Sequence, residues 1–101
     1  MKLILGNPGS GKTKALLALS EKHNIPILSE SDARVQRLLV KASNYGYNIP
    51  TPVTVDQLND DITEVYVDDV KKLLETLLHV NLGCITVNRD ETLEIKDLDL
   101  Q

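Results

Sequence analysis

The sequence has no tryptophan and no phenylalanine, and its aromatic content is three tyrosines. Any core must therefore be aliphatic, built from Leu, Ile, Val and Ala. A single cysteine, Cys84, excludes an internal disulfide and fits a reducing compartment. Long apolar runs are missing as well. One lysine and three apolar residues separate Met1 from Gly6, too few for a secretory leader, and no stretch approaches membrane-spanning length. Positive charge is not in excess: 11 Lys and Arg stand against 15 Asp and Glu, for a net charge of −4. That balance argues against a broad basic surface for duplex nucleic acid and leaves room for a local stripe. The expectation is a cytoplasmic protein without membrane contact. Its 101 residues suit one small domain, 1–101, with 96–101 as a fraying acidic tail.

What is present is concentrated near the front. Gly6 to Thr13 reads Gly-Asn-Pro-Gly-Ser-Gly-Lys-Thr and meets the G-x-x-x-x-G-K-[ST] pattern at every constrained position. Lys2-Leu3-Ile4-Leu5 before it is an apolar run suited to a buried strand, and Lys14 to His23 after it is rich in Ala and Leu, as a helix would be. Strand, glycine loop and helix in that order make a phosphate cradle. Main-chain amides from about Gly9 to Thr13 face an anion, and the helix beginning near Gly11 adds the positive end of its dipole. Gly6, Asn7, Pro8, Gly9, Ser10, Gly11, Lys12, Thr13 and Lys14 are the expected nucleotide-binding residues. Lys12 would reach the β- and γ-phosphates of ATP or GTP, and the Thr13 hydroxyl would ligate Mg²⁺.

Along the rest of the chain, short β-prone runs alternate with helical patterns. Asn24 is a helix stop, and Ile25 to Leu28 reads as a second strand. Ser29 and Ser31 are competing caps for a helix whose buried stripe is Val35, Leu38, Leu39 and Ala42; Asn44 to Tyr47 stops it, with Gly46 free to take positive φ. After a proline-rich connector come a short strand at Val53–Val55, a helical turn at Asp56–Leu58 and a strand over Glu64–Asp69. A helix over Val70–Val80 would turn Val70, Leu73, Leu74 and Leu77 inward. Cys84–Val87 is a further strand with Cys84 buried as a small hydrophobe, Asn88–Glu91 is turn-like, and Thr92–Ile95 is a last strand. This alternation predicts an α/β three-layer sandwich with a mostly parallel sheet, a C-terminal β-hairpin remaining open. Ligands of such sheets sit at the carboxyl ends of the strands. The loop 6–13, the pair Asp68–Asp69 and Asn88 should therefore open on one edge.

A Mg²⁺ site needs one or two carboxylates beside phosphate oxygens. Asp68, at the end of Val65-Tyr66-Val67, can supply one. Asp69 has two readings, polarising an attacking water or capping the following helix. Asn88, following the strand expected at Cys84–Val87, reads by itself as a turn residue. Arg34, Arg37 and Lys41 make a basic stripe opposite the buried face of their helix, either solvated or a guide for single-stranded nucleic acid. Tyr45 and Tyr47 either stack on a base or pack their loop. His23 and His79 end their helices, where a cation suits the dipole.

The loop followed some fifty residues later by an apolar strand and two acids resembles the Walker A and Walker B pair of P-loop NTPases. The doubled acid is similar to RecA-like ATPases, superfamily-one helicases and AAA+ proteins, and the order of parts resembles small P-loop proteins of bacteriophages. The resemblance implies a minimal P-loop fold and a Mg²⁺-dependent ATPase acting in nucleic-acid metabolism, with Lys12 and Asp69 catalytic, Thr13 and Asp68 on the metal, and Asn88 as γ-phosphate sensor. Asp69 stands where that branch usually has Glu, so water activation would be weak. The larger members also carry an arginine finger, and the arginines here are Arg34, Arg37 and Arg89. A partner protein or a second copy would then supply the missing charge. The alternatives are a nucleotide-binding interaction module without turnover and a small nucleoside or polynucleotide kinase.

Overall fold

The computed structural model describes residues 1–100. Its elements are β1 (Lys2–Leu5), α1 (Lys12–His23), β2 (Ile27–Leu28), α2 (Asp32–Tyr45), a 3₁₀ turn (Val55–Gln57), β3 (Tyr66–Val67), α3 (Val70–Leu78) and β4 (Glu94–Asp97). The fold is α/β, and its strands pair in parallel as the alternation requires. They do so in two small sheets: β1 with β4, Lys2 opposite Glu94 through Leu5 opposite Asp97, and β2 with β3, Ile27 opposite Tyr66 and Leu28 opposite Val67. A single parallel bridge, Leu28 to Val53, extends the second sheet.

The core lies between α1 and α2. Leu17, Ile27, Leu38, Ala42 and Ile49 form one buried cluster, with Leu16, Leu39, Tyr47 and Tyr66 packed against it. It is aliphatic apart from two tyrosine rings at its margin. The helix ends follow local chemistry. The Arg34 amide donates to Ser31 Oγ at 3.2 Å, so Ser31 rather than Ser29 caps α2. Asn24 and Gly46, both left-handed, close α1 and α2.

Several expectations are corrected. The strand at Val53–Val55 shrinks to one bridge and runs directly into the 3₁₀ turn, because Pro50 and Pro52 carry no amide to extend a ladder. The strand over Glu64–Asp69 is confined to Tyr66–Val67. Cys84–Val87 forms no strand: Ile85 and Val87 are exposed and Cys84 lies in solvent. Strand propensity there finds no hydrogen-bonding neighbour, and without one it yields no strand. α3 ends at Leu78 and buries Leu73 and part of Leu74, while Val70 and Leu77 are exposed. Among the described residues there is no C-terminal hairpin, since the last strand, expected at Thr92–Ile95 and found at Glu94–Asp97, pairs in parallel with β1. Lys96 and Asp97, expected in the tail, belong to β4, and the Leu98 amide donates to Leu5 O at 2.8 Å. Gln101 lies outside the described residues.

Candidate functional site

The loop between β1 and α1 turns sharply, and its glycines have separate tasks. Gly11 has φ +94° and starts α1 from the left-handed region, where a side chain would be strained. A Cβ on Gly6 would stand 2.2 Å from Ser10 Oγ and 3.1 Å from Ser10 Cβ, so a side chain there would force Ser10 to shift. That Ser10 oxygen is itself buried and, among the described residues, has no hydrogen-bond partner.

The start of α1 has no side-chain cap and no acidic residue in its first turn; Lys12 and Lys14 stand there instead. Cations at the positive end of a helix dipole are unfavourable unless an anion joins them. Among the described residues the amides of Gly9, Gly11, Lys12 and Thr13 meet no acceptor, whereas the Ser10 amide donates to Asn7 O at 3.0 Å. Open amides, a helix terminus and an ammonium group make an anion cradle. The Lys12 ammonium bends back over the loop and donates to Gly6 O at 2.7 Å and Asn7 O at 2.8 Å. Lys14 points elsewhere: it is exposed, with Nζ 5.2 Å from the centre of the Tyr45 ring. Tyr45 and Tyr47 also face each other, ring centres 6.1 Å apart, which favours loop packing over base stacking.

Asp68 closes the site from the opposite direction. The Thr13 hydroxyl donates to Asp68 Oδ2 at 3.1 Å and lies 3.3 Å from Oδ1, joining residues 55 positions apart. β3 reaches this position while paired to β2, not beside β1. A partly buried hydroxyl and a largely buried carboxylate in contact offer hard oxygen donors at the mouth of the loop. They fit Mg²⁺, which takes few protein ligands and completes its shell with phosphate and water.

Two contacts were not legible in the sequence. Arg34 leaves the exposed stripe expected of it and pairs with Asp68 Oδ2, its side chain 14% and that of Asp68 10% exposed; Arg37 and Lys41 remain on the surface. The Asn7 amide, at the rim of the loop, accepts no help from its neighbours and instead donates to Asp99 Oδ2 at 2.6 Å. Helical spacing assigned Arg34 to the face away from the core, and nothing local announces either contact.

Asp69 takes φ +62° as the N-cap of α3, and its carboxylate accepts from the Lys72 amide at 3.1 Å. The capping role is the one the geometry displays. Asn88 lies exposed in an irregular stretch, because the strand that would have presented it does not form. The loop and Asp68 therefore converge, and Asn88 does not join them through a strand end. Two surface hollows among the described residues, lined by Asp69, Lys71, Lys72, Glu75 and Thr76 and by Gln36, Arg37, Val40 and Lys41, include no residue of the loop. No helix among the described residues is long and apolar enough to cross a membrane.

No protein-family model matches the chain, and no solved structure matches it. Among curated proteins it is similar to an adenylate kinase of Clostridium novyi (strain NT), 35% identical over 79 residues. The aligned part is 69% of this chain and 35% of that relative, so the chain spans about a third of the relative's length. With the loop's sequence and geometry, this similarity supports membership of the P-loop superfamily.

Proposed function

We propose that this protein binds a Mg²⁺–nucleoside triphosphate at Gly6–Thr13 and acts as a kinase-like phosphoryl-transfer domain. The open amides and Lys12 would hold the phosphates, and Thr13 and Asp68 the metal. Bound Mg²⁺ would neutralise charge developing on the transferred group, while the chain's own residues fix its position. The observation that carries the reading is the contact of Thr13 with Asp68 at the mouth of the loop. Two further points favour transfer over hydrolysis. The relative is named for a kinase, and Asp69 is engaged as a helix cap rather than free to orient water.

Hydrolysis assisted by a partner, or nucleotide binding without turnover, is the second reading. The exposed apolar residues of α3 and the segment after it favour it, since they suit a protein-facing role. Radiolabelled γ-phosphate separates the readings. Label moving to adenylate or another nucleoside monophosphate supports the kinase-like reading, label released as phosphate supports hydrolysis, and retained label supports binding alone.

Binding itself is checked by thermal shift with ATP and GTP, with and without Mg²⁺. A ligand specific for the folded state adds ~4 kcal/mol at a thousandfold excess over Kd. Lys12→Ala should abolish that gain and leave the unliganded Tm near the wild-type value. A full nucleotide shift in Lys12→Ala would falsify the assignment of this lysine.

A further inference from the structure

Arg34 and Thr13 converge on one oxygen, Asp68 Oδ2, and the three side chains come from α2, the phosphate loop and the end of β3. The ion pair is nine-tenths shielded on the carboxylate side. In the nucleotide-free protein a shielded carboxylate needs a counter-ion, and Arg34 is the one it has. The proposed metal would draw on the same carboxylate, whose other oxygen, Oδ1, lies 3.3 Å from the Thr13 hydroxyl. A divalent cation arriving beside a guanidinium on one shielded carboxylate meets strong repulsion, which weakens the Arg34–Asp68 pair.

The displaced guanidinium would not be stranded. It sits on a well-capped helix and shares Asp68 Oδ2 with the Thr13 hydroxyl, the group that would face the metal and the phosphates it accompanies. Planar guanidinium groups pair readily with phosphate in two-pronged fashion. We propose that Arg34 exchanges partners: it neutralises Asp68 in the empty site and moves to the terminal phosphates when Mg²⁺ takes the carboxylate. The chain then carries its own arginine for the phosphoryl group, and none is needed from a second copy. This inference rests on the nucleotide-binding reading above and specifies how the same site is controlled.

Calorimetric titration of the whole chain with ATP and with GTP, each in Mg²⁺ and in EDTA, tests it. In wild type Arg34 reaches the phosphates only when Mg²⁺ holds Asp68, so its contribution to affinity is expected in Mg²⁺ and not in EDTA. Arg34→Ala should therefore lose about tenfold or more in affinity in saturating Mg²⁺, the size of one charge-assisted hydrogen bond to phosphate, and show a smaller Mg²⁺-to-EDTA affinity ratio. Either quantity left at the wild-type value overturns the exchange.

Arg34→Lys covers the case in which Arg34→Ala does not fold. It keeps the charge on Asp68 and loses the two-pronged contact, so the affinity in EDTA should stay near wild type while Mg²⁺–nucleotide affinity drops. An unchanged affinity in Arg34→Lys also overturns the proposal. Wild type that binds neither nucleotide sinks the functional reading and this inference together, whereas wild-type binding with an indifferent Arg34→Ala sinks the exchange alone.

Discussion

Residues 1–54 and residues 55–100 contain the same aliphatic side chains and use them differently. The first part buries Leu17, Ile27, Val35, Leu38, Ala42 and Ile49, and its α2 is closed by a serine cap and a left-handed glycine. The second part buries Leu73 and leaves Val70, Leu77, Leu78, Val80, Ile85, Val87 and Ile95 exposed. It is held to the first mainly by main-chain ladders, β4 on β1 and β3 on β2, and by two carboxylates, Asp68 and Asp99. The site is therefore asymmetric. Its phosphate-facing half stands on a packed core, and its acidic half is delivered by a region with little buried area of its own. Regions of few buried apolar contacts open at lower free energy than the core, so the acids should respond to ligand more readily than the loop.

The comparison can be broken at its strongest point first. Leu38→Ala should cost about 2–5 kcal/mol in chemical denaturation, as truncation of a fully enclosed leucine does. Leu78→Ala, at a position 58% exposed, should stay within about 0.5 kcal/mol. Equal losses would mean that α3 is covered in solution, by a second copy or another partner, and the contrast between the two parts would collapse.

Asp99→Ala should have a smaller effect. It removes a solvent-exposed acceptor from the Asn7 amide, worth about 1 kcal/mol or less. Amide hydrogen exchange at Asn7 should quicken, and exchange at Leu17 should not. Faster exchange at both positions would show that β4 supports the core as well as the rim of the loop.

The smallest effect concerns acid. The Leu82 amide, and then the Lys71 ammonium, hold the partly buried Glu75 carboxyl below its ordinary value of 4.5. A depressed carboxyl contributes stability that is present above its unfolded value and lost as pH falls through the lower folded one. Tm measured downward from neutral pH should thus fall slightly less steeply in Glu75→Gln than in wild type, below about pH 4.5. An identical acid limb would remove the tie between α3 and Leu82 from the account.

Much of this was legible in the sequence, residue by residue. The loop 6–13, the helix that follows it, the Ser31 cap, the Asn24 and Gly46 stops and the Val35–Leu38–Ala42 stripe are all local patterns, and all are present. Asp68 was identified by its place after an apolar run. The failures share a cause. Cys84–Val87 has the composition of a strand but no partner, and the strand expected at Thr92–Ile95 is shifted to Glu94–Asp97, taking two residues of the tail to pair with β1. Strand pairing, unlike helix formation, depends on a segment far away in the chain.

The order of parts around the phosphate loop, the residue types that face an anion, and the aliphatic nature of the core follow from sequence alone, because each is set within a few turns of chain. Which strand lies beside which, which acid reaches the loop rim, and that Arg34 faces Asp68 rather than water were decided only in three dimensions. Those contacts join residues 34 to 92 positions apart, and no local preference encodes a meeting at that distance.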